Sequence, residues 1–275
     1  DPTAEVIVLD PEREYINVAR EMDGEVVQIS GDSHTYINPF DLELVEGEQP
    51  LAMKVDAIMS MVEMMAKNLS PMQKTLVDRC VSRIYDRYFA THDQRDIPHA
   101  DRLLQHAQPA ARARGTHARR HHRALRHRPG LAVQPPDQRE HAQALRLYDI
   151  RDCADNMKGL ALLILLDQTW NRIVRNRERH VRTWVFIDEI YLLFQHEYSA
   201  NFLFTLWKRV RKYGACCTGI TQNIGDLLQS HTARTMLANS EFLVLLNQAP
   251  TDRLELAKLL NISDDQLSYI YGCGR

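Results

Sequence analysis

The sequence predicts an α/β protein in which a mostly parallel sheet lies between helices and a helical segment is inserted. Short apolar, β-branched runs alternate with stretches of helical periodicity, the pattern of parallel strands joined by helices. Two of the apolar runs end in carboxylates, one at Asp10 and one at Asp188 and Glu189. In an open parallel sheet, such strand ends lie at the edge where ligands bind.

The first predicted part of the sheet covers residues 1–49, and a helical insertion follows over 50–98. The elements predicted for the first part are a strand at 5–10, a helix at 13–22, a strand at 25–30 and a loop at 36–42. In the insertion, Ser70 as N-cap and Pro71 at the first helical position predict the start of a second helix. We expect the six methionines between positions 53 and 72 to fill the core rather than form a binding surface.

The second predicted part of the sheet covers residues 147–275. The elements predicted there are strands at 147–150, 184–189, 215–221 and 241–246, and helices at 154–178, 198–212 and 251–260. Gly214 is expected to end the helix at 198–212.

Composition excludes several classes of protein. Hydrophobic residues make up 44% of the 275-residue chain and charged residues 25%, as in ordinary soluble domains. The longest apolar run, Leu160 to Leu166, is far shorter than the ~20 residues of a membrane helix, so no span is predicted. The five cysteines lack metal-ligand spacing, which favours reduced thiols over disulfides or a zinc site.

Residues 99–146 differ in composition from the rest of the chain. They contain ten Arg, seven His and three acidic residues and no aromatic residue, which gives a net charge of +7. Because the whole chain carries −2, the other residues together carry −9, and the predicted folded parts are acidic.

Three interpretations of residues 99–146 stay open. The first is a basic arm that binds nucleic acid, and the second is a disordered linker with too little apolar surface to fold. The third is a frame error in the gene. Residues 99–107 can be encoded so that reading one base later gives Thr-Leu-Thr-Asp-Phe-Tyr-Asn-Thr, a plausible helix start.

The candidate catalytic residues are Asp188 and Glu189, which follow a run of apolar strand residues. In nucleoside triphosphatases, the first acid of such a pair holds Mg²⁺ through water and the second positions or deprotonates the attacking water. Acids also occur at strand ends because they favour the dipole of a following helix, so the pair alone does not decide the function.

Two further groups are candidates for contacts with phosphate. After the next strand, Gln222 could sense a γ-phosphate, or it could cap the following helix together with Asn223. Arg209 and Arg211 end a basic helix and could reach a neighbouring subunit's phosphate as an arginine finger, or form a solvated helix end.

Five short motifs occur in a fixed order along the chain. They are Val6-Ile-Val-Leu-Asp-Pro-Glu-Arg-Glu-Tyr15, Tyr36-Ile-Asn-Pro-Phe-Asp41, Tyr148-Asp-Ile-Arg-Asp152, Val185-Phe-Ile-Asp-Glu189 and Thr221-Gln-Asn223. In this order they resemble the motor domain of the conjugative-transfer and type IV secretion ATPases, the CagE/TrbE/VirB family. The resemblance covers residues 1–98 and 147–275.

The resemblance implies a RecA-like P-loop NTPase fold related to the HerA and FtsK motors, with ATP and Mg²⁺ as cofactors. It implies a cytoplasmic ATPase at the inner face of the bacterial membrane that energises pilus assembly and substrate transfer. Its partners would be further copies in a homo-hexamer, other secretion-channel and pilus components, and DNA. The site residues that it implies are the Walker B pair Asp188 (Mg²⁺, through water) and Glu189, the sensor Gln222, and Asp10, Glu12, Thr221 and Asn223 at the edge of the nucleotide site.

The family's phosphate loop, G-x-x-x-x-G-K-[ST], does not occur in the 275 residues. In this family it lies just upstream of the strand that opens the chain, so we expect a fragment that is incomplete at both ends. Because the loop's amides, Lys and Ser or Thr stabilise the transferring phosphoryl group, the chain alone is not expected to hydrolyse ATP.

Two alternative functions stay open. The first is a DNA-pumping motor of the HerA, FtsK or coupling-protein type, which has the same fold. The second is a non-catalytic assembly subunit that binds partners through its helical insertion.

Residues 99–146 are expected to be poorly ordered. Their aliphatic residues are Leu, Ala and one Val, too few to offset about 1–2 kcal/mol of backbone entropy per ordered residue. Amide hydrogen exchange checks this expectation, since Leu125, Leu131 and Val133 should exchange rapidly. Slow exchange at these three positions would contradict it.

Overall fold

A parallel sheet of five strands forms the centre of the structure, a computed structural model that describes residues 3–30, 37–43, 50–66, 69–99, 144–222, 224–246 and 250–269. The strands are β1 (Ala4–Asp10), β2 (Glu25–Gln28), β3 (Leu145–Asp149), β4 (Arg182–Ile187) and β5 (Ala215–Gly219). They are arranged in the order β2-β3-β1-β4-β5, and each neighbouring pair is parallel. The predicted parallel sheet is therefore confirmed.

Helices occupy most of the remaining described residues. They are α1 (Ile16–Glu21), α2 (Pro50–Ala66), α3 (Pro71–Ile84), α4 (Asp86–Thr91), α5 (Asp155–Glu178), α6 (Glu197–Arg209), α7 (Ile224–Gln229), α8 (His231–Ala238), α9 (Pro250–Leu260) and α10 (Asp264–Ser268). Short 3₁₀ segments lie at Gln94–Asp96, Ile190–Gln195 and Val210–Tyr213. Among the helices in the described ranges, none is both long enough and apolar enough to cross a membrane.

The local signals for helix ends are confirmed at two places. Ser70 accepts a hydrogen bond from the main-chain N–H of Gln73, whose side chain accepts one from the main-chain N–H of Ser70. This reciprocal pair satisfies two donors at the start of α3, with Pro71 in the first turn. After the 3₁₀ turn that follows α6, Gly214 adopts a φ of 68°, the left-handed conformation that lets the chain turn into β5.

The structure differs from the predicted elements in several places, and helices α7, α8 and α10 have no predicted counterpart. Helix α1 begins later than predicted because Arg13 has a φ of 62° and cannot continue a right-handed helix. Strand β3 begins at Leu145, so Leu145 and Arg146 belong to the sheet rather than to the Arg-rich segment, whose residues 100–143 lie outside the described ranges. The strand predicted at 241–246 is wrong, since these residues have no strand pairing among the described residues, and Phe242 and Val244 are strongly exposed.

The chain divides into two compact units. The first extends from Asp1 to Ile220 and the second from Thr221 to Arg275. In the second unit, a small core forms around Ile224, Leu228 and Leu256. The domain boundaries predicted from the sequence stay a prediction.

The two faces of the sheet are covered by different helices. On one face, Arg172 and Asn176 of α5 donate hydrogen bonds to the buried Glu5 of β1. On the other face, Ala19 of α1 packs with Val8 of β1 and the leucines of β3. This alternation follows from the period of two residues along a strand.

The inserted helices form a core of their own. Residues of α2, α3 and α4 pack together, including Ile58, Val81, Ile84 and the side chains of Tyr85 and Tyr88. Three of the six methionines in this region are buried, at positions 53, 59 and 61, as expected for residues that fill a core.

The segment at 37–43 is held by side chains rather than by strand or helix partners. Five successive main-chain carbonyls of this segment accept hydrogen bonds from side chains of α2, α4, α5 and the turn that follows α3. The pairs are Gln168 to Asn38 (2.9 Å), Lys54 to Pro39 (3.4 Å), Tyr85 to Phe40 (2.7 Å), Asn171 to Asp41 (2.9 Å) and Tyr88 to Leu42 (2.9 Å). Buried carbonyls must be paired, so these donors replace the missing secondary structure and bind the insertion to α5.

A buried ion pair stands at the centre of this junction. The ammonium group of Lys54 on α2 donates to the carboxylate of Asp167 on α5, and the two side chains are 1% and 2% exposed. Burial raises the pKa of Asp167 to about 6, the Lys54 charge opposes this rise, and Asp41 adds to it. Burying the ionised pair is therefore costly, but breaking it leaves one charge without compensation.

Replacing Lys54 with Met should destabilise the first unit by about 3–5 kcal/mol at pH 8, because Asp167 then carries a buried charge without a partner. The loss should shrink at pH 5. Folding raises the pKa of Asp167, so the ionised group destabilises the folded protein as pH rises through that pKa. Lys54→Met raises the pKa of Asp167 further, and at pH 5 the carboxyl group is protonated and carries no buried charge. The double variant Lys54→Met/Asp167→Leu should recover most of the lost stability. Urea unfolding followed by tryptophan fluorescence measures this, since Trp170, Trp184 and Trp207 all lie in the first unit.

Lys74→Met is the matched control for this series. Lys74 forms an ion pair of 2.7 Å with Glu63 between α3 and α2, and its side chain is 35% exposed. Loss of this ion pair should lower the free energy of unfolding by less than about 1 kcal/mol. Equal losses for Lys54→Met and Lys74→Met would contradict the account.

Candidate functional site

The carboxyl ends of the five strands meet at one edge of the sheet. Asp10 at the end of β1 lies opposite Asp149 at the end of β3, and Leu9 lies opposite Ile187 at the end of β4. Asp188 follows Ile187 directly, and its main-chain N–H donates to Leu9 at 3.0 Å. Asp10, Asp149 and Asp188 all belong to the sequence motifs. The sheet therefore places their carboxylates on neighbouring strands at one edge.

The turn at Asp188 and Glu189 has a constrained backbone. Glu189 has a φ of 47°, an uncommon left-handed conformation for a residue other than glycine. Its N–H donates to the carboxylate of Asp188 at 3.0 Å, and the next N–H, of Ile190, donates to the carbonyl of Ile220 at 3.0 Å. Such a conformation persists only where surrounding contacts determine it, and it is typical of functional turns.

Asp188 is in an unfavourable position for a negative charge. Burial raises the pKa of this carboxyl group, and the N–H of Glu189 opposes that rise. The carboxylates of Glu14, Asp10 and Glu12 raise the pKa further. An ionised Asp188 would therefore be stabilised by a cation, which is the property expected of a ligand for a metal ion.

Asp10, predicted at the edge of a nucleotide site, has a structural role in the first motif. Its two carboxylate oxygens accept hydrogen bonds from the N–H groups of Glu14 and Tyr15, each at 3.0 Å, and the residue is fully buried. Asp10 therefore folds the chain back over the end of β1. A contact of Asp10 with nucleotide stays a prediction.

Glu12, the second acid predicted at this edge, contacts α5. Its carboxylate accepts a hydrogen bond of 2.7 Å from Lys158 in the first turns of that helix. Its main-chain carbonyl lies 3.4 Å from the guanidinium group of Arg151, which follows β3. Glu12 therefore connects the loop after β1 to the region that follows β3.

Arg13 was not singled out from the sequence, although it links the first and third motifs. Its guanidinium group donates to the buried carboxylate of Asp149 at 2.6 Å and also to Asp152. Asp149 further accepts from the N–H of Arg151 at 3.1 Å and from Gln28. Arg13 lies in the first motif and Asp149 in the third, which was the only indication of their importance in the sequence. Nothing in the sequence showed that the two side chains would form an ion pair.

The predicted sensor residues follow β5. The N–H of Ile220 donates to Ile187 at 2.9 Å, so the chain leaves β5 at the carboxyl edge of the sheet. Thr221 and the exposed Gln222 begin the second unit, and Asn223 lies outside the described residues. Their roles at a nucleotide stay predictions.

The predicted arginine fingers lie at the opposite edge of the sheet. Arg209 ends α6, and Arg211 lies in the 3₁₀ turn that leads into the start of β5. Both are exposed, and the length of β5, about 16 Å, separates them from the carboxyl edge. An interaction with phosphate would therefore have to involve a neighbouring subunit.

The donor set suits Mg²⁺ rather than a metal held by protein groups alone. Within the described ranges, no group of three or more His, Cys, Asp or Glu side chains is arranged to hold a metal ion. Mg²⁺ commonly takes one or two carboxylates and completes its coordination with water and substrate phosphates. Asp188 fits this requirement, because it is a carboxylate at the carboxyl edge, and within the described part of the chain it accepts a hydrogen bond from a main-chain amide, that of Glu189.

Comparison with known proteins matches this chain to one protein family and to solved structures. Residues 145–274, slightly less than half of the chain, match the family described as the TraG P-loop domain. The structure of VirB4 from Thermoanaerobacter pseudethanolicus aligns with a TM-score of 0.82 and 23% identity, over 99% of this chain and 77% of that chain. The resemblance to the type IV secretion ATPases is confirmed. The predicted fold class, a RecA-like sheet flanked by helices, is confirmed by the VirB4 alignment.

Two other comparisons add no argument about this chain. The bacterial conjugative coupling protein TrwB aligns at 15% identity over 94% of this chain and 72% of that chain, with a TM-score of 0.43. This score is too low to support an inference. No curated protein matches the sequence.

Proposed function

We propose that the chain is part of an ATPase of a conjugative-transfer or type IV secretion machine, which hydrolyses ATP to energise pilus assembly and the transfer of DNA or protein. The observation that carries this proposal is the turn at Asp188 and Glu189. It combines a carboxylate with a raised pKa and a glutamate fixed in a left-handed conformation at the carboxyl edge of a parallel sheet. The TraG P-loop domain match over the same strand supports it.

In this proposal each acid of the turn has a separate role. Asp188 holds Mg²⁺ through water, and the ion neutralises charge on the β- and γ-phosphates. Glu189 orients the attacking water and accepts its proton. Gln222, with Thr221 and Asn223, senses the γ-phosphate from the end of β5.

The proposal requires groups that the 275 residues do not contain. A phosphate loop, G-x-x-x-x-G-K-[ST], must supply the amides and the lysine that stabilise the transferring phosphoryl group. Arg209 or Arg211 would act on the nucleotide of an adjacent subunit in a homo-hexamer. Other secretion-channel and pilus components, and DNA, are the proposed partners at the inner face of the bacterial membrane.

Glu189→Gln, in a protein that includes the upstream phosphate loop, should retain ATP binding and lower turnover by about 10²-fold or more. The substitution preserves the shape of the side chain and removes the base. Phosphate release measures turnover, and a fluorescent ATP analogue measures binding. Turnover near that of the parent would show that Glu189 is not the catalytic carboxylate.

Two comparisons complete this experiment. The 275-residue chain without the phosphate loop should show no turnover, and activity in it would place the site elsewhere. Failure of the extended parent to bind ATP would favour the non-catalytic assembly subunit. Strong stimulation of its turnover by DNA would favour a DNA-pumping motor.

A further inference from the structure

The turns that lead into β4 and β5 carry a concentration of positive charge. Residues 177–182 and 208–212 contain seven Lys and Arg residues and one acid, Glu178, which gives these two segments a net charge of +6 with histidine neutral. All eight charged side chains are exposed. We call this surface the amino-edge patch, because it lies where the two strands begin, at the edge of the sheet opposite the carboxylates.

The two turns lie side by side in the folded chain. Thr183 of β4 pairs with Ala215 of β5, and its main-chain N–H donates to Gly214 at 3.5 Å. The guanidinium carbon of Arg177 lies 4.7 Å from the centre of the Tyr213 ring, a contact that joins the end of α5 to the 3₁₀ turn after α6. Neighbouring strands are about 4.8 Å apart. The cations of both turns therefore form one continuous surface.

Helix stability alone does not account for this charge. Helices α5 and α6 both end at the patch, and the carboxyl end of a helix carries about −0.5 of an elementary charge, which cations stabilise. The two helix ends together supply about −1, against the +6 of the patch. No ion pair joins Arg182, Arg209 or Lys212 to an acid in the described part of the chain. The patch therefore has an excess of positive charge that suits an anionic partner.

The composition of the two turns favours phosphodiester groups over a lipid surface. Val210 and Tyr213 are buried and Val181 is half-buried, so the apolar side chains of the turns face inward. Binding to a membrane surface is strengthened by apolar side chains that enter the bilayer, and these turns offer none. Arginine provides five of the seven cations, and its planar fork of N–H donors matches the oxygens of a phosphate group.

An exposed aromatic side chain adjoins the patch. Trp184 is 41% exposed and lies on the same face of β4 as Arg182, because side chains alternate along a strand. Its neighbour on β5, Cys216, is exposed as well, so this part of the sheet face is open among the described residues. Sites for single-stranded nucleic acids combine cations for the phosphates with aromatic rings on which bases stack. Trp184 and the patch provide this combination.

We propose that the amino-edge patch and Trp184 bind single-stranded nucleic acid, with the cations on its phosphates and a base stacked on the indole ring. The inference rests on the proposed function in one respect, since transferred DNA is the strand that this surface would take. It assigns the contact to named residues at the edge opposite the ATPase site. Arg209 and Arg211, proposed above to reach the nucleotide of an adjacent subunit, stay unchanged in the experiment.

The experiment measures binding of a fluorescein-labelled oligothymidylate of about 20 nucleotides to the 275-residue chain by fluorescence anisotropy. Affinity is determined at several salt concentrations, in EDTA and without ATP. Arg182→Gln/Lys212→Gln should lower the affinity about tenfold and reduce the slope of log K against log salt by about 1.4, because each phosphate contact on a single strand contributes about 0.7.

The aromatic contact has a different signature. Trp184→Ala should lower the affinity about fivefold or more and leave the salt slope unchanged, because stacking of a base releases no counterions. Trp184→Phe should keep most of the affinity, since a phenyl ring also stacks. Equal losses for the two Trp184 variants would show that no base stacks there.

Two control variants remove the same charge elsewhere. Arg79→Gln/Arg83→Gln removes two exposed cations from α3 and should change neither the affinity nor the slope. Arg119→Gln/Arg120→Gln removes two cations from the Arg-rich residues 99–146. A slope that changes with this second control and not with the patch variant would assign binding to residues 99–146 and overturn the proposal.

The remaining outcomes are also decisive. Absence of oligothymidylate binding, or equal effects of the patch variant and the α3 control, would overturn the proposal. Binding to phosphatidylserine vesicles without binding to oligothymidylate would assign the patch to a membrane surface instead. A clear preference for oligouridylate would contradict DNA as the strand. Because the assay contains no ATP, failure of strand binding is distinct from failure of the proposed ATPase function.

Discussion

Parallel pairing of β1 with both β3 and β4 brings the carboxylates of Asp10, Asp149 and Asp188 to the same edge of the sheet. Three negative charges on neighbouring strands repel one another unless each is compensated. The residues around the edge are arranged to compensate two of them fully. Asp10 accepts two main-chain N–H groups, and Asp149 accepts from Arg13, Gln28 and the N–H of Arg151.

Asp188 is compensated less than the other two, and this difference sets it apart from the two acids with structural roles. One N–H, from Glu189, donates to its carboxylate, and burial and nearby acids raise its pKa. A charge placed in this way reduces stability, and in the proposed function this cost prepares the site for a cation, as is common where function and stability compete. Helix α5 supports the edge at one end through Lys158. Further along its length it contacts the insertion through Asp167 and the 37–43 segment through Gln168 and Asn171.

Local patterns predicted the sheet well, whereas pairings between distant residues could not be predicted. Apolar runs located the strands, and the acids that follow β4 lie at the expected edge. The strand predicted at 241–246 was wrong, because a short apolar run fits a strand but cannot show whether a partner strand is present. The donors to the carbonyls at 38–42 come from α2, α4, α5 and the turn after α3, so only the folded chain brings them together.

The free energy of unfolding of two variants tests most directly whether Asp10 has a structural role that Asp188 lacks. Asp10→Asn and Asp188→Asn are compared in the 275-residue chain, in EDTA, by urea unfolding with tryptophan fluorescence. Asp10→Asn should lower the free energy of unfolding by about 1–3 kcal/mol, because one of two charge-assisted acceptors becomes a donor facing an N–H. Asp188→Asn should leave it unchanged or raise it, because it removes an unfavourable charge and keeps an acceptor for Glu189. A loss of stability in Asp188→Asn as large as that in Asp10→Asn would contradict the account.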